Sequence, residues 1–119
     1  MADLSDSQEI LLFLNKSKKL LSNNKYDFVP RRKNLQDLAA IGFSITDVKS
    51  EILSLTLDDY YRGPKEDFDS KRPGQIWEFK KKISNKVFYI KLKIVNENGC
   101  DILKCLSFHK DQYTNWIYN

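Results

Sequence analysis

The sequence predicts an α+β fold, with N-terminal helices packed on a C-terminal antiparallel β-sheet. Apolar residues recur every three to four positions up to about residue 55, whereas from about residue 76 they alternate with polar residues. The alternating segments are joined by connections short enough to be hairpins. A chain of 119 residues can bury one core but not two, so we expect residues 1–119 to form a single domain.

Three amphipathic helices are expected in the first half. The first covers about residues 6–22 and is stopped by two asparagines. The second covers about residues 31–41, where Gly42 fits the position after its C-terminus. The third begins at Ser44, and Asp47 three residues later completes a weak capping box.

Three strands are expected in the second half, over residues 76–83, 86–95 and 100–109. The segment from residue 56 to Gly74 contains several Gly, Pro and charged residues, which predicts a polar loop. The tail over residues 111–119 carries aromatic residues and is expected to form one docked helical turn.

Strand alternation divides this sheet into an apolar face and a polar face. The apolar face should pack on the helices, with Lys104 as an exception on the third strand. Its expected members are Trp77, Phe79, Ile83, Phe88, Ile90, Leu92, Ile94, Ile102, Leu106 and Phe108. The polar face collects Glu78, Lys80, Lys82, Tyr89, Lys91, Lys93, Ser107 and His109.

The formal net charge of +4 is unevenly distributed. Residues 1–62 are balanced, whereas residues 71–93 hold eight basic residues against one acidic residue, Glu78. Such a local excess favours a polyanionic partner. A solvated, lysine-rich face that protects an exposed sheet explains it equally well.

Other classes of protein are disfavoured. The chain has no apolar run long enough to span a membrane and no basic, apolar start typical of a secretory leader, so we expect a cytoplasmic protein. Cys100 and Cys105 are expected to be free thiols, and with a single histidine they cannot complete a zinc site. The acidic residues Glu66, Asp67 and Asp69 lack the pattern of a calcium loop, so no metal or other cofactor is expected.

The polar face has the groups that metal-free RNA cleavage requires. A base must take the proton of the ribose 2′-hydroxyl, an acid must protonate the leaving 5′-oxygen, and cations must neutralise the phosphorane-like transition state. Each group also has a structural explanation: Glu78 can pair with a lysine across the strands, and Tyr89 can pack with its hydroxyl in water. The single histidine can be an ordinary surface or core side chain, and the alternating lysines can simply form the solvated face of a strand.

Several stretches together resemble one known family, the MqsR-type toxins of bacterial type II toxin–antitoxin modules. The resemblance covers about residues 8–110. It is carried by residues 31–35 (RRKNL), 57–64 (LDDYYRGP), 76–79 (IWEF), 87–94 (VFYIKLKI) and 106–109 (LSFH).

The resemblance implies a RelE-like fold and a ribonuclease that cleaves mRNA, stops translation and is neutralised by a cognate antitoxin. It implies catalytic roles for Arg62, Glu78, Tyr89 and His109. The lysines of the polar face, Lys80, Lys82, Lys91 and Lys93, would then bind RNA. No membrane contact is expected, nor direct DNA binding outside an antitoxin complex.

This chain departs from the family's best-known member at three of the four catalytic positions. That member has lysine at the position of Arg62, glutamine at that of Glu78 and lysine at that of His109. Arginine keeps the charge and adds bidentate phosphate binding. Glutamate and histidine supply proton-transfer groups, which suggests a variant mechanism.

In the first hypothesis the chain is an endoribonuclease. Glu78 is the base and His109 the acid, or the reverse, while Arg62 and Lys91 clamp phosphate and Tyr89 positions the substrate. The alternative is a regulator that binds RNA or protein on the same fold without turnover, such as a phage-borne inhibitor.

Overall fold

The computed structural model describes residues 6–67 and 73–111, which form a layer of helices packed on one five-stranded sheet. The expected α+β architecture is confirmed. The helical turn expected over residues 111–119 lies outside the described residues from residue 112 onward. The helices are α1 (Ser7–Ser22), α2 (Arg32–Ala40) and α3 (Ile45–Leu53), with a short 3₁₀ turn at Leu57–Asp59. The strands are β1 (Tyr26–Phe28), β2 (Tyr60–Glu66), β3 (Gln75–Ile83), β4 (Lys86–Glu97) and β5 (Cys100–Lys110).

Local signals set the helix ends close to where the sequence predicts them. The Asp6 side chain caps α1 by accepting a hydrogen bond from the Glu9 backbone N–H at 2.9 Å. Ser44 and Asp47 form the predicted capping box at the start of α3. No helix in residues 6–67 and 73–111 is long and apolar enough to cross a membrane.

The sheet has the strand order β1-β5-β4-β3-β2. The central strands β3, β4 and β5 form an antiparallel meander, as predicted, whereas β1 pairs parallel with β5. Both hairpins turn through residues with positive φ: Ser84 and Asn85 in the first, and Asn98 and Gly99 in the second. Two consecutive positive φ angles match the right-handed twist of the flanking strands.

The prediction of a polar loop after residue 56 was wrong in part, because Tyr60–Glu66 forms the edge strand β2. Its pairing with β3 contains two register shifts, and Pro64 interrupts the ladder. Gly63 has a φ of +123°, and a Cβ there would lie 2.7 Å from the Ile76 carbonyl oxygen. Only glycine therefore lets β2 approach β3 so closely.

The predicted apolar face of β5 was also wrong in part. Lys91 pairs with Ser107 but Leu92 pairs with Cys105, so Leu106 is the extra residue of a β-bulge. The bulge reverses the alternation between its two sides. As a result Leu103 and Cys105 are buried in the core with Phe108, whereas Ile102 and Leu106 are not on that face. Lys104, paired with Lys93, lies on the polar face and is no exception.

The core lies between the three helices and the sheet. The Phe13 ring of α1 stacks on Trp77 of β3 with the ring centroids 4.6 Å apart. Phe88 and Phe108 pack together on β4 and β5 at 5.5 Å. These contacts fix the apolar face on the helices and leave the opposite face of the central strands for polar side chains.

Side chains of helix α2 hold the C-terminal end of β5, past the residues of β5 that pair with the short strand β1. The fully buried Asn34 donates to the carbonyl oxygens of Val29 (3.0 Å) and Leu106 (3.2 Å) and accepts from the Phe108 N–H (3.0 Å). Asp37 accepts from the Lys110 N–H at 2.9 Å. The backbone on both sides of His109 is thus fixed by α2.

Replacing Asn34 with Ala should destabilise the protein by about 1–3 kcal/mol, because it leaves buried backbone groups without hydrogen-bond partners. Gln36→Ala on the exposed side of the same helix is the matched control and should stay within about 0.5 kcal/mol of the wild type. Urea unfolding of both variants measures this, and equal stabilities would contradict the role assigned to Asn34.

Candidate active site

The carboxylate of Glu78 on β3 is fully buried, with 0% of the residue exposed. It lies at the centre of a network of polar side chains. Arg62 donates two hydrogen bonds to it, from Nε to Oε2 at 2.7 Å and from Nη2 to Oε1 at 3.3 Å. Lys65 Nζ lies 3.0 Å from Oε2, and the Tyr89 hydroxyl donates to Oε1. Two cations and a phenol therefore surround one carboxylate.

These contacts decide which protonation states are favoured. Burial raises the pKa of Glu78, but hydrogen bonds from Arg62, Tyr89 and Lys65 outweigh burial and hold this pKa below its ordinary value. Burial and the hydrogen bond to Glu78 raise the pKa of Tyr89 far above its ordinary value. At neutral pH Glu78 is thus an anion and Tyr89 a neutral donor.

The irregular pairing of β2 brings both cations to Glu78. Arg62 lies directly opposite Glu78 in the ladder, while Lys65 pairs with Ile76 two residues away. The register shift between Arg62 and Lys65 falls at Gly63 and Pro64, and it aims both side chains at the same carboxylate. Tyr89 reaches it from β4, where Glu78 pairs with Lys91.

A cavity of about 440 Å³ opens beside this network on the polar face. Its lining is basic and aromatic, with one carboxylate. The lining residues are Arg31, Tyr61, Arg62, Lys80, Tyr89, Lys91, Ser107, His109 and Asp111. A wall of this composition suits an anionic ligand that carries an aromatic group.

His109 stands next to Tyr89 across the β4–β5 pair, with the ring centroids 5.5 Å apart. Its Nδ1 lies 2.9 Å from the Lys110 carbonyl oxygen. Because a carbonyl can only accept, Nδ1 must carry a proton in this contact. In the neutral ring Nε2 then keeps its lone pair and is the nitrogen able to take a proton.

Tyr61 lies at the rim of the cavity and is 38% exposed. Lys80 Nζ is 4.1 Å from its ring centroid, and the Arg62 guanidinium carbon is 5.0 Å away. Lys80 also forms an ion pair with Asp111 at 2.8 Å. The cations hold an aromatic surface in place at the opening of a basic cavity.

The structure brings most of the predicted site residues together. The cavity is lined by five of them: Arg62, Tyr89, His109, Lys80 and Lys91. Glu78 lies behind this lining and accepts hydrogen bonds from Arg62 and Tyr89. Two predicted RNA-binding lysines are not in the lining. Lys82 is exposed further along β3, and Lys93 is buried in an ion pair with Asp67 at 2.8 Å.

Sequence reasoning missed three lining residues: Arg31, Tyr61 and Asp111. Ser107 was placed on the polar face but was given no role. Arg31 precedes α2, Tyr61 lies on the strand that was predicted as a loop, and Asp111 directly follows β5. Alternation along three strands could not identify residues that enter the site from outside those strands.

Comparison with known proteins identifies a family. The profile of the MqsR toxins, described as motility quorum-sensing regulators that are toxins of MqsA, matches residues 11–110. The chain belongs to the MqsR toxin family. It is therefore the toxin of a toxin–antitoxin pair, and its partner is an antitoxin. No curated protein matches the chain. All four predicted catalytic positions, from Arg62 to His109, lie within the residues that the family profile matches.

Replacing Glu78 with Gln in this MqsR-family toxin should destabilise the fold by about 1–3 kcal/mol at pH 7, because buried donors lose an anionic acceptor. The lowered folded pKa of Glu78 means that its contribution is fully present above about 4.3, the ordinary value, and is lost as the pH falls through the folded value. Urea unfolding of both proteins from pH 3 to 8 measures this. A difference that grows on acidification would contradict the lowered pKa.

Proposed function

We propose that the chain is a metal-independent endoribonuclease that cleaves mRNA in the cytoplasm and is neutralised by its cognate antitoxin. The single observation that carries the proposal is the cavity in which His109 faces the Arg62–Glu78–Tyr89 network. It combines one side chain able to transfer a proton with cations able to hold a phosphate. The toxin assignment supports it, because cutting messages is one way for a small domain to stop growth.

His109 is the proton-transfer group of this mechanism. The hydrogen bond from Nδ1 to the Lys110 carbonyl leaves Nε2 to take the proton of the ribose 2′-hydroxyl. The oxygen then attacks the adjacent phosphorus and expels the 5′-oxygen of the next nucleotide. The products are a 2′,3′-cyclic phosphate and a 5′-hydroxyl end.

Glu78 serves this reaction as a positioning residue and not as the base. Its carboxylate is inaccessible, accepts hydrogen bonds from three side chains and has a lowered pKa, so it is a weak base with no contact to the cavity. What it does is fix Arg62 and Tyr89 in the cavity wall. Of the two proton-transfer roles expected for Glu78 and His109, we therefore keep only that of His109 in the proposed mechanism.

Arg62 neutralises the charge that develops during the reaction. Two of its N–H groups bind Glu78, and the side chain remains 45% exposed at the cavity. The hydrogen bond from Arg62 to Glu78 raises the pKa of the guanidinium, so it stabilises phosphate and leaving oxygen by charge and not by proton donation. In the open cavity the leaving oxygen takes its proton from solvent.

Tyr61 offers a stacking surface for a nucleobase. Single-stranded RNA is commonly held by aromatic rings beside basic side chains, and each stacked base contributes about 1–3 kcal/mol. The ring of Tyr61 is exposed at the cavity and immobilised by Lys80 and Arg62. Because every base has an aromatic face, such stacking would hold a nucleobase without selecting among bases.

Replacing His109 with Ala should slow RNA cleavage by about 10²–10⁴-fold, because the base is lost. The measurement is cleavage of a long RNA by purified protein in EDTA, with mapping of the new ends. Lys19→Ala on the exposed side of α1 is the matched control for a surface change and should cut at the wild-type rate.

Three outcomes bear on the proposal. Cleavage in EDTA that requires His109 supports it, provided that the variant melts like the wild type. Full cleavage by His109→Ala, or cleavage that EDTA abolishes, contradicts the mechanism. Tight RNA binding without any new ends would support the alternative of a non-catalytic RNA-binding regulator.

A further inference from the structure

One wall of the cavity is built where the segment before α2 and the strands β4 and β5 meet, next to the β5 bulge. The Val29 N–H donates to the Cys105 carbonyl at 3.0 Å, and the Arg31 N–H donates to the Val29 carbonyl at 2.8 Å. Arg31 is therefore anchored beside β5. Ser107, just past the bulge, pairs with Lys91 of β4, and Arg31, Ser107 and Lys91 all line the cavity.

The two cations of this wall, Arg31 and Lys91, form no ion pair within the part of the chain that the structure describes. Of the cavity's other cations, Arg62 forms an ion pair with Glu78, which it shares with Lys65, and Lys80 forms one with Asp111. Burial lowers the pKa of Lys91, and the positive charge of Arg31 lowers it further, against the opposite effect of the Glu78 and Asp67 carboxylates. An anion bound between them would relieve this repulsion.

We propose that Arg31, Lys91 and the Ser107 hydroxyl form a second phosphate subsite, which holds the phosphodiester next to the one that is cleaved. The inference rests on the proposed function and extends it to the length of the substrate. Arg62 and His109 act on one phosphate, and Arg31 and Lys91 bind its neighbour. RNA with a single phosphodiester leaves the second subsite empty.

Binding can be tested without any cleavage. The probe is a fluorescein-labelled 2′-O-methyl RNA hexamer of mixed sequence, which lacks the attacking hydroxyl, titrated by anisotropy at several NaCl concentrations. Arg31→Ala should weaken binding about ten- to hundredfold at low salt and reduce the slope of log affinity against log salt by about 0.7, the value for one phosphate contact on a single strand.

The chain provides a matched control in the next residue. Arg32 carries the same charge and is also exposed, but it is not among the residues that line the cavity. Arg32→Ala should leave the affinity and the salt slope close to the wild-type values. Equal losses in both variants would overturn the subsite, because they would show a diffuse effect of net charge.

Cleavage then tests the substrate length. Dinucleotides and trinucleotides carrying a mapped cleavage junction are compared, with the extra nucleotide on either side. In the wild type one trinucleotide should have a kcat/KM at least about ten times that of the dinucleotide, and Arg31→Ala should remove this advantage mainly through KM. A wild-type enzyme that cuts dinucleotide and both trinucleotides equally well would overturn the subsite.

The experiments distinguish a failure of the nuclease proposal from a failure of the subsite proposal. Hexamer binding that depends on Arg31 in a protein that cuts no RNA would keep the subsite and remove the nuclease. Cleavage that depends on His109 but is indifferent to Arg31 would keep the nuclease and remove the subsite.

Discussion

The ionised side chain of Glu78, enclosed at the centre of the polar network, is the constraint on which the site depends. A buried carboxylate is costly unless charged partners compensate it, and here Arg62, Lys65 and Tyr89 do so. Two of these partners come from β2, an irregular edge strand that gains little from its own ladder. We therefore infer that the network attaches β2 to the sheet and at the same time fixes Arg62 and Tyr89 in the cavity wall.

Much of the fold follows from residue patterns. The periods of the apolar residues locate three helices and three strands to within a few residues, because each pattern matches one repeat of backbone geometry. The β5 bulge has no such signature. One extra residue, Leu106, exchanges the buried and the polar positions on one side of the bulge. Only the pairing with β4 shows which side is affected. Strand β2, with Gly63 and Pro64, has the composition of a loop and is held by long-range contacts.

The candidate site was predictable to the extent that it lies on the central strands. Alternation places Glu78, Tyr89 and His109 on one face, and they do meet there. It cannot distinguish the buried Glu78 from the half-buried His109, because exposure depends on what β2 covers. Strand alternation also includes Lys93 in the predicted site, although this residue forms an ion pair with Asp67. It omits Arg31, because Arg31 reaches the cavity from the start of α2 and not from a strand. The division of labour that we propose, with Glu78 as a positioning carboxylate and His109 as the proton-transfer group, is argued from tertiary contacts that the sequence pattern does not contain.

The most direct test of this division is the titration of Glu78 itself. The ¹³C chemical shift of its side-chain carboxyl, assigned with the Glu78→Gln variant, should be followed by NMR from pH 3 to 8. The midpoint should lie below about 4.3, the ordinary pKa of glutamate, because the partners of Glu78 hold its pKa down. A midpoint between about 6 and 7, the range of a glutamate tuned for proton transfer, would contradict the positioning role and restore Glu78 as the catalytic acid or base.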